Sequence, residues 1–186
     1  MQARAIAAAE TGERILDAAT DLFWQLPADQ LSLEEVAHRA GVSVQTVIRR
    51  FGGRDGVMAA AGEREAGRIR DQRDEAVEGD VPGAVRVLID HYEAYGDRVV
   101  KLLADENRLP QLKEIADHGR QVHRQWCTRV FAPALEGLSG AGRRRRHAQL
   151  VAVCDVYTWK LLRRDRGLSR DETETALREL LEPLMP

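Results

Sequence analysis

Apolar residues recur at three- and four-residue intervals along most of the chain, and no stretch alternates with the period of two that marks a strand. The pattern predicts an all-α protein. A first helix is expected over Glu13 to Leu26, with Ile15, Leu16, Ala19, Leu22 and Phe23 inward, after a loose arm over residues 1–11 with room for some helix of its own. A short helix carrying Val36, Ala37 and Ala40 follows, then a second short one in which Val47 and Phe51 lie four apart and face inward together. From Asp55 to about Val77 the pattern is a long, mostly polar helix with Val57, Met58, Ala61 and Ile69 inward. Asp80 and Pro82 then read as an N-cap and a first-turn proline. They open a helix with an apolar stripe at 85, 88, 89, 92, 99, 100 and 103, in which Gly96 is a close-packing position. Asn107 to Leu109 should end it, Pro110 should start a shorter helix, and another should run from Asp117 to Val130 and stop at Pro133. Residues 137–142 read as a loop. Of residues 148–162 only Gln149, Asp155, Thr158 and Lys160 are not apolar, so this expected helix must be covered on more than one side. The last helix opens at Ser169, with Glu172 completing a capping box, and carries Thr173, Leu177, Leu180, Leu181 and Leu184.

The segment Leu33 to Phe51 carries the most functional information. Ser32 and Glu35 predict a capping box at the start of its first helix. Gly41 stands where that helix must stop, because glycine accepts positive φ without a Cβ penalty. Ser43 supplies the next N-cap oxygen. With Val47 and Phe51 inward, Gln45, Thr46, Arg49 and Arg50 are left on the outer face. Two short helices joined by a tight glycine turn, the second polar outside, read as a DNA-binding helix-turn-helix. The side chains suit it. Glutamine can pair bidentately with adenine, threonine can meet a base or a thymine methyl, and arginine can fork onto guanine.

These residues resemble the N-terminal domain of the tetracycline repressor (TetR) family. The likeness lies in the approach Leu31-Ser32-Leu33, the corner Ala40-Gly41-Val42-Ser43, the short recognition helix, and the exit from Phe51 to Met58. It covers residues 11 to 60. The resemblance implies a three-helix DNA-binding head over residues 1–56, with a flexible arm over 1–11, and a helical ligand-binding and dimerisation domain over 57–186. It places candidate DNA contacts on Ser32, Ser43, Val44, Gln45, Thr46, Ile48, Arg49, Arg50 and Arg54. Two departures matter. Ile48 stands where the family usually has a tyrosine, which removes one hydroxyl contact, and Arg54 replaces the family's exit lysine, keeping the charge and adding a forked donor.

Charge supports this locally rather than globally. The 186-residue chain carries a formal net charge of −2. Residues 38 to 54, however, contain Arg39, Arg49, Arg50 and Arg54 and no acid. Attraction to phosphate depends on that local field. Cys127 and Cys154 form no close-spaced framework, which fits a reducing cytoplasm. No run of 18 apolar residues and no basic-then-apolar N-terminus is present, so neither a membrane span nor a signal peptide is expected.

The resemblance also implies a two-fold dimer, reading a palindromic operator with recognition helices about 34–36 Å apart or a multiple of that. The apolar excess of residues 148–162 points the same way. The candidate seam is Val153, Val156, Tyr157, Lys160, Leu161, Leu177, Leu180, Leu181 and Leu184. A small-molecule effector is expected in the second domain, and its candidate lining is His91, Tyr92, Tyr95, Trp126, Cys127, Phe131, Asp155, Thr158 and Trp159. Asp155, a carboxylate within an apolar helix, needs a partner in the core, across a dimer, or on a ligand. The four arginines 143–146 read as a solvated face at or before a helix start.

The function expected is therefore a homodimeric repressor of double-stranded DNA released by an effector, without cofactor or metal. Two alternatives remain open: an all-helical enzyme using Asp155 or the His123–Cys127 pair, and a helix-turn-helix module that binds protein.

Overall fold

The computed structural model describes residues 2–25, 32–108 and 110–186, and every regular element among them is helical. The chain divides into two compact units, residues 1–70 and 71–186.

The first unit holds α1 (Gln2–Gln25), α2 (Leu33–Ala40), α3 (Val44–Phe51) and most of α4 (Arg54–Asp74). The arm expected over residues 1–11 is helical from residue 2, because the run from Ala5 to Ala9 is built of strong helix formers. Leu26, the expected end of α1, and Leu31 lie outside the described residues. The core of this unit is Ile15, Ala18, Ala19 and Leu22 of α1 against Val36, Ala37 and Ala40 of α2, Val47 of α3, and Val57 and Ala61 of α4. The last two explain why the division falls after residue 70 rather than after 56. The head cannot close its core without the start of α4. Arg64 of α4 clamps α1 by ion pairs of 2.8 Å to both Glu13 and Asp17.

The second unit is built around α5 (Val81–Asp105), capped by Asp80, whose carboxylate accepts from the Gly83 N–H at 3.0 Å. It packs against α6 (Pro110–Val130), α8 (Val156–Lys160) and α9 (Arg170–Leu181). The helix α7 (Gly140–Val153) lies between α6 and α9. The shared core includes Leu88, Ile89, Tyr92, Trp126, Phe131, Leu150, Trp159, Leu177 and Leu181.

Three expectations are corrected here. The segments expected to start at Pro110 and Asp117 form one helix, since no proline or other strong breaker separates them; Leu109 lies outside the described residues. The helix expected over 148–162 is broken at Cys154 and Asp155, where Asp155 turns to extended backbone and caps α8. The chain then widens into a π-type turn over Leu161–Asp165. Arginines 143–146 lie inside α7, and two of them work internally. Arg143 donates to the Leu135 carbonyl at 2.7 Å, and Arg146 donates to the Leu184 carbonyl. The capping box at Ser169 and Glu172 forms as expected, and α9 begins one residue later.

No helix of the described residues is long and apolar enough to cross a membrane. Gly96, the expected close-packing site, lies directly against Trp159: a Cβ built there would stand 2.4 Å from Cζ3 of an indole with no exposed surface. Gly96→Ala should therefore overpack the second unit, lowering stability by about 1–3 kcal/mol. A thermal melt showing no loss against wild type would contradict this packing.

Candidate functional site

The polar corner between α2 and α3 is built from backbone needs. Gly41 adopts φ +67°, and its turn returns backbone N–H groups to the carbonyls of Ala37 and His38. Ser32 Oγ accepts from the Glu35 N–H at 3.2 Å, as expected. The Glu35 carboxylate turns to Arg39 at 3.6 Å rather than completing the box. Ser43 Oγ accepts from the Thr46 N–H at 3.2 Å and starts α3. Gly52, at φ +82°, closes it by donating to the Ile48 carbonyl at 2.8 Å.

Val47 is wholly buried, and Val44 and Phe51 pack half-buried on the head's core. Gln45, Ile48, Arg49 and Arg50 are exposed, and Thr46 is half-buried. This brings the expected face together on one side of α3. Four refinements follow. Val44 gives part of its surface to the core and offers only the remainder outward. The Ser43 and Thr46 hydroxyls lie 3.0 Å apart, so each orients the other. Ile48 presents an apolar spot, 39% exposed, amid polar neighbours. Arg50 rests its guanidinium on the α1 backbone, where a Cβ on Gly12 would come within 2.5 Å of Nη2. Arg49 is thus the arginine of the pair directed outward. Arg39 is engaged by Gln25 at 2.7 Å as well as by Glu35. Arg54, exposed at the start of α4, lies 3.7 Å from Asp55.

In the second unit, the aromatic residues expected around an effector do gather. His91 lies 5.3 Å from Tyr92 and 5.2 Å from Tyr95, Tyr92 lies 5.8 Å from Trp159, and Trp126 lies 5.8 Å from Phe131, ring centre to ring centre. Tyr92 donates to the Cys154 carbonyl at 2.8 Å, at the break between α7 and α8. Asp155 and Thr158 serve the backbone instead. Asp155 accepts from the Tyr157 N–H at 2.9 Å, and Thr158 donates to the Ala152 carbonyl at 2.6 Å. An open groove of about 270 Å³ lies elsewhere, lined by Thr128, Leu135, Gly140, Arg143, Arg144 and His147, and none of the expected effector residues reaches it.

His123 and Cys127 do share a face, with Nε2 and Sγ 3.7 Å apart, and both cysteines are buried thiols. A hydrogen bond from the Cys154 thiol, with His123 and Arg73 nearby, draws the Cys127 thiol below its usual range, while the same sulfur pair and burial push Cys154 up. Among the described residues no group of three or more His, Cys, Asp or Glu is placed to hold a metal ion.

The expected dimer residues separate into two sets. Val156, Leu177 and Leu181 are buried in the core of their own unit and cannot form a seam. Lys160 is tied to Asp165 at 2.8 Å. Tyr157, Leu161 and Leu180 are large apolar side chains left 49%, 58% and 47% exposed, with Val153 and Leu184 partly so.

Sequence reasoning missed Arg73. It lies on the last turn of α4, in a run of charged residues that reads as solvated, yet it is only 7% exposed. Its guanidinium stands 4.6 Å from the Trp126 ring and 5.7 Å from the Tyr92 ring. Nη2 donates to His123 Nδ1 at 3.3 Å. Only the alternation of Ile69, Gln72, Arg73 and Ala76 at helical spacing hinted at an inward face there.

Burial, then Arg73 and His123, lowers the His91 pKa from the ordinary 6.5 to about 3. As pH falls below 6.5 the unfolded chain takes up this proton while the folded one does not. Stability should therefore rise with pH between about 3 and 6.5, with His91 contributing up to about 1.4 kcal/mol per pH unit and nothing above that window. Melting curves of wild type and His91→Gln across that range should diverge in slope; parallel curves would remove His91 as the cause.

Residues 15–61 match the family model of the bacterial regulatory proteins of the tetR family. No curated protein matches the chain. Solved structures do. A transcriptional regulator from Rhodococcus sp. Rha1 shares 22% identity over 93% of this chain and 95% of its own, with a TM-score of 0.63. NalD of Pseudomonas aeruginosa, described as the secondary repressor of the MexAB-OprM multidrug efflux pump, shares 19% identity over 95% and 96%, with a TM-score of 0.57. The fatty acid degradation regulator FadR of Bacillus halodurans shares 19% over 91% and 93%, with a TM-score of 0.52. The head thus matches the tetR-family model from α1 into α4, and the chain as a whole shares its fold with such regulators almost end to end.

Proposed function

We propose that this DNA-binding regulator acts in the cytoplasm as a homodimeric repressor of a palindromic operator, and that a small molecule in its second unit releases it. The observation that carries the DNA reading is the outward set of Gln45, Thr46 and Arg49 on a helix held by buried Val47. Arg49 forks onto a guanine edge, Gln45 pairs with adenine, and Ile48 meets a thymine methyl. Ser32 keeps its hydroxyl proton for a phosphate, since its oxygen only accepts from Glu35, and Arg54 and Arg50 supply backbone charge. Repression is favoured by the relative NalD, which is itself described as a repressor.

Two copies are needed because one head offers few phosphate-facing arginines and a recognition helix of eight residues. The seam we assign is Tyr157, Leu161 and Leu180, flanked by Val153 and Leu184. Exposed apolar side chains of this size on neighbouring helices are what a second copy would cover. The enzyme alternative finds less support: Asp155 is spent on a helix cap, Cys127 is a buried thiol, and half-buried His123 is stacked on Trp126.

Selection from randomised duplexes should return a two-fold site. Arg49→Ala should bind that site about tenfold to a hundredfold more weakly, the loss falling on one base position per half-site. Equal affinity of mutant and wild type across a salt series would refute the recognition face. Leu161→Glu with Leu180→Glu should sediment as a monomer and lose operator affinity while keeping its helical content. A double mutant that still sediments as a dimer would place the seam elsewhere.

A further inference from the structure

Arg73 poses a problem of charge within the second unit. It is one of three buried polar or charged side chains in the described residues that stand out from an otherwise apolar core, with His91 and Thr173. Thr173 is satisfied by the Ser169 carbonyl at 2.8 Å. Arg73 and His91 are not. Arg73 Nη1 and His91 Nδ1 are both buried without a hydrogen-bond partner. No carboxylate of the described residues forms an ion pair with Arg73, and the adjacent Asp74 is committed to Arg129 at 3.1 Å. Arginine keeps its charge in proteins, so it cannot escape burial by losing a proton. The rings of Trp126 and Tyr92 and the His123 nitrogen support the guanidinium plane and Nη2, but leave Nη1 bare. Replacing such a cation with an apolar residue is often neutral or stabilising, so its presence calls for a partner.

The partner's chemistry follows from the donors. His123 Nδ1 takes up Arg73 Nη2 and leaves Nη1 without a partner. His91, whose ring adjoins that of Tyr92, has its Nδ1 buried without a partner too, and in the tautomer protonated there it offers one further N–H. One cation with one neutral donor balances one negative charge; a doubly charged phosphate would leave a buried charge over. The rings against the guanidinium are Trp126 and Tyr92, and both belong to the apolar core of the second unit.

We propose that Arg73 is the anchor of the effector site, taking a small monocarboxylate with an apolar body, its carboxylate bound by Arg73 Nη1 and His91 Nδ1. The proposal rests on the effector-released regulator put forward above and names the class of molecule that site takes.

Titration calorimetry on the full chain without DNA tests it, using phenylacetate and octanoate as probes and phenylacetamide and octanamide as uncharged counterparts. At least one acid should bind, with its amide weaker by about tenfold to a hundredfold, the range of a hydrogen bond to a charged group. Arg73→Met should abolish that preference, and Arg73→Lys should keep part of it, since the charge survives without the fork. The unliganded Arg73→Met protein should melt no lower than wild type, because an unpaired buried charge is gone. Neither acid binding better than its amide, or Arg73→Met binding acids like wild type, would overturn the proposal. Operator affinity measured in parallel separates the two readings. Arg73-dependent acid binding that leaves operator affinity unchanged upholds the site and removes effector release. Loss of acid binding with intact operator binding removes the site and leaves the regulator.

Discussion

The burial of Val47 is the constraint on which the DNA-reading surface depends. The helix that carries it has eight residues, and Val47 is the one that is wholly buried. Its burial in the same core as Ile15, Leu22, Val36 and Val57 sets the rotation of α3. Successive residues on a helix lie about 100° apart, so a turn of one position would bury Thr46 or Ile48 and swing Arg49 aside. Burying a valine contributes about 1.5–3 kcal/mol, enough to hold one rotation against the others. Gly41 then makes the corner possible. At φ +67° any residue with a Cβ would cost about 1–2 kcal/mol. The site is exposed, yet its geometry is decided by what lies beneath it.

That logic explains what could be read from the residues alone. The head was legible because its signals are local and mutually consistent: Ser32 and Ser43 as caps, Gly41 as the corner, Val36, Ala37, Ala40 and Val47 at helical spacing. Each forces its neighbours within one turn. The second unit was less legible because its decisive facts are tertiary. Asp155 looked like a carboxylate inside a helix, but the Asp side chain competes for backbone N–H groups, and here it ends α7 and caps α8. Val156, Leu177 and Leu181 belong to the same apolar stripes as Leu161 and Leu180, and only the packing against α5 tells which of them face inward. Arg73 left almost no trace, since a lone inward cation in a charged run looks like any solvated arginine.

The break between α7 and α8 has a consequence for that packing. At Cys154 the chain leaves helical hydrogen bonding, and the Tyr92 hydroxyl donates to the Cys154 carbonyl, tying the break to α5. Trp159, one turn further on, lies on Gly96 of the same helix and donates to Glu93 at 3.3 Å. Glu93 in turn pairs with Arg163 at 2.8 Å, and Asp97 with Arg164 at 3.0 Å. Polar links therefore fasten one face of α8 and the following π-type turn to α5, and Tyr157 and Leu161 are left on the other. A continuous helix would have spread its apolar residues around the full circumference. The break sorts them into a covered side and an exposed one.

The size of any effector's influence is bounded by the same physics. A ligand shifts an equilibrium only by the difference in its affinity for the two states. A single hydrogen bond to a charged group is worth about 1.5–3 kcal/mol, so contact with Arg73 that exists in one state alone changes operator affinity by roughly tenfold to a hundredfold. In the homodimer we propose, two subunits would multiply the effect to roughly 10² to 10⁴, the step from a largely occupied to a largely vacant operator. Arg73 lies in the last turn of α4, whose first turn carries Arg54 and whose Val57 and Ala61 complete the head's core. The helix that bears the buried cation is also one that the recognition unit cannot fold without.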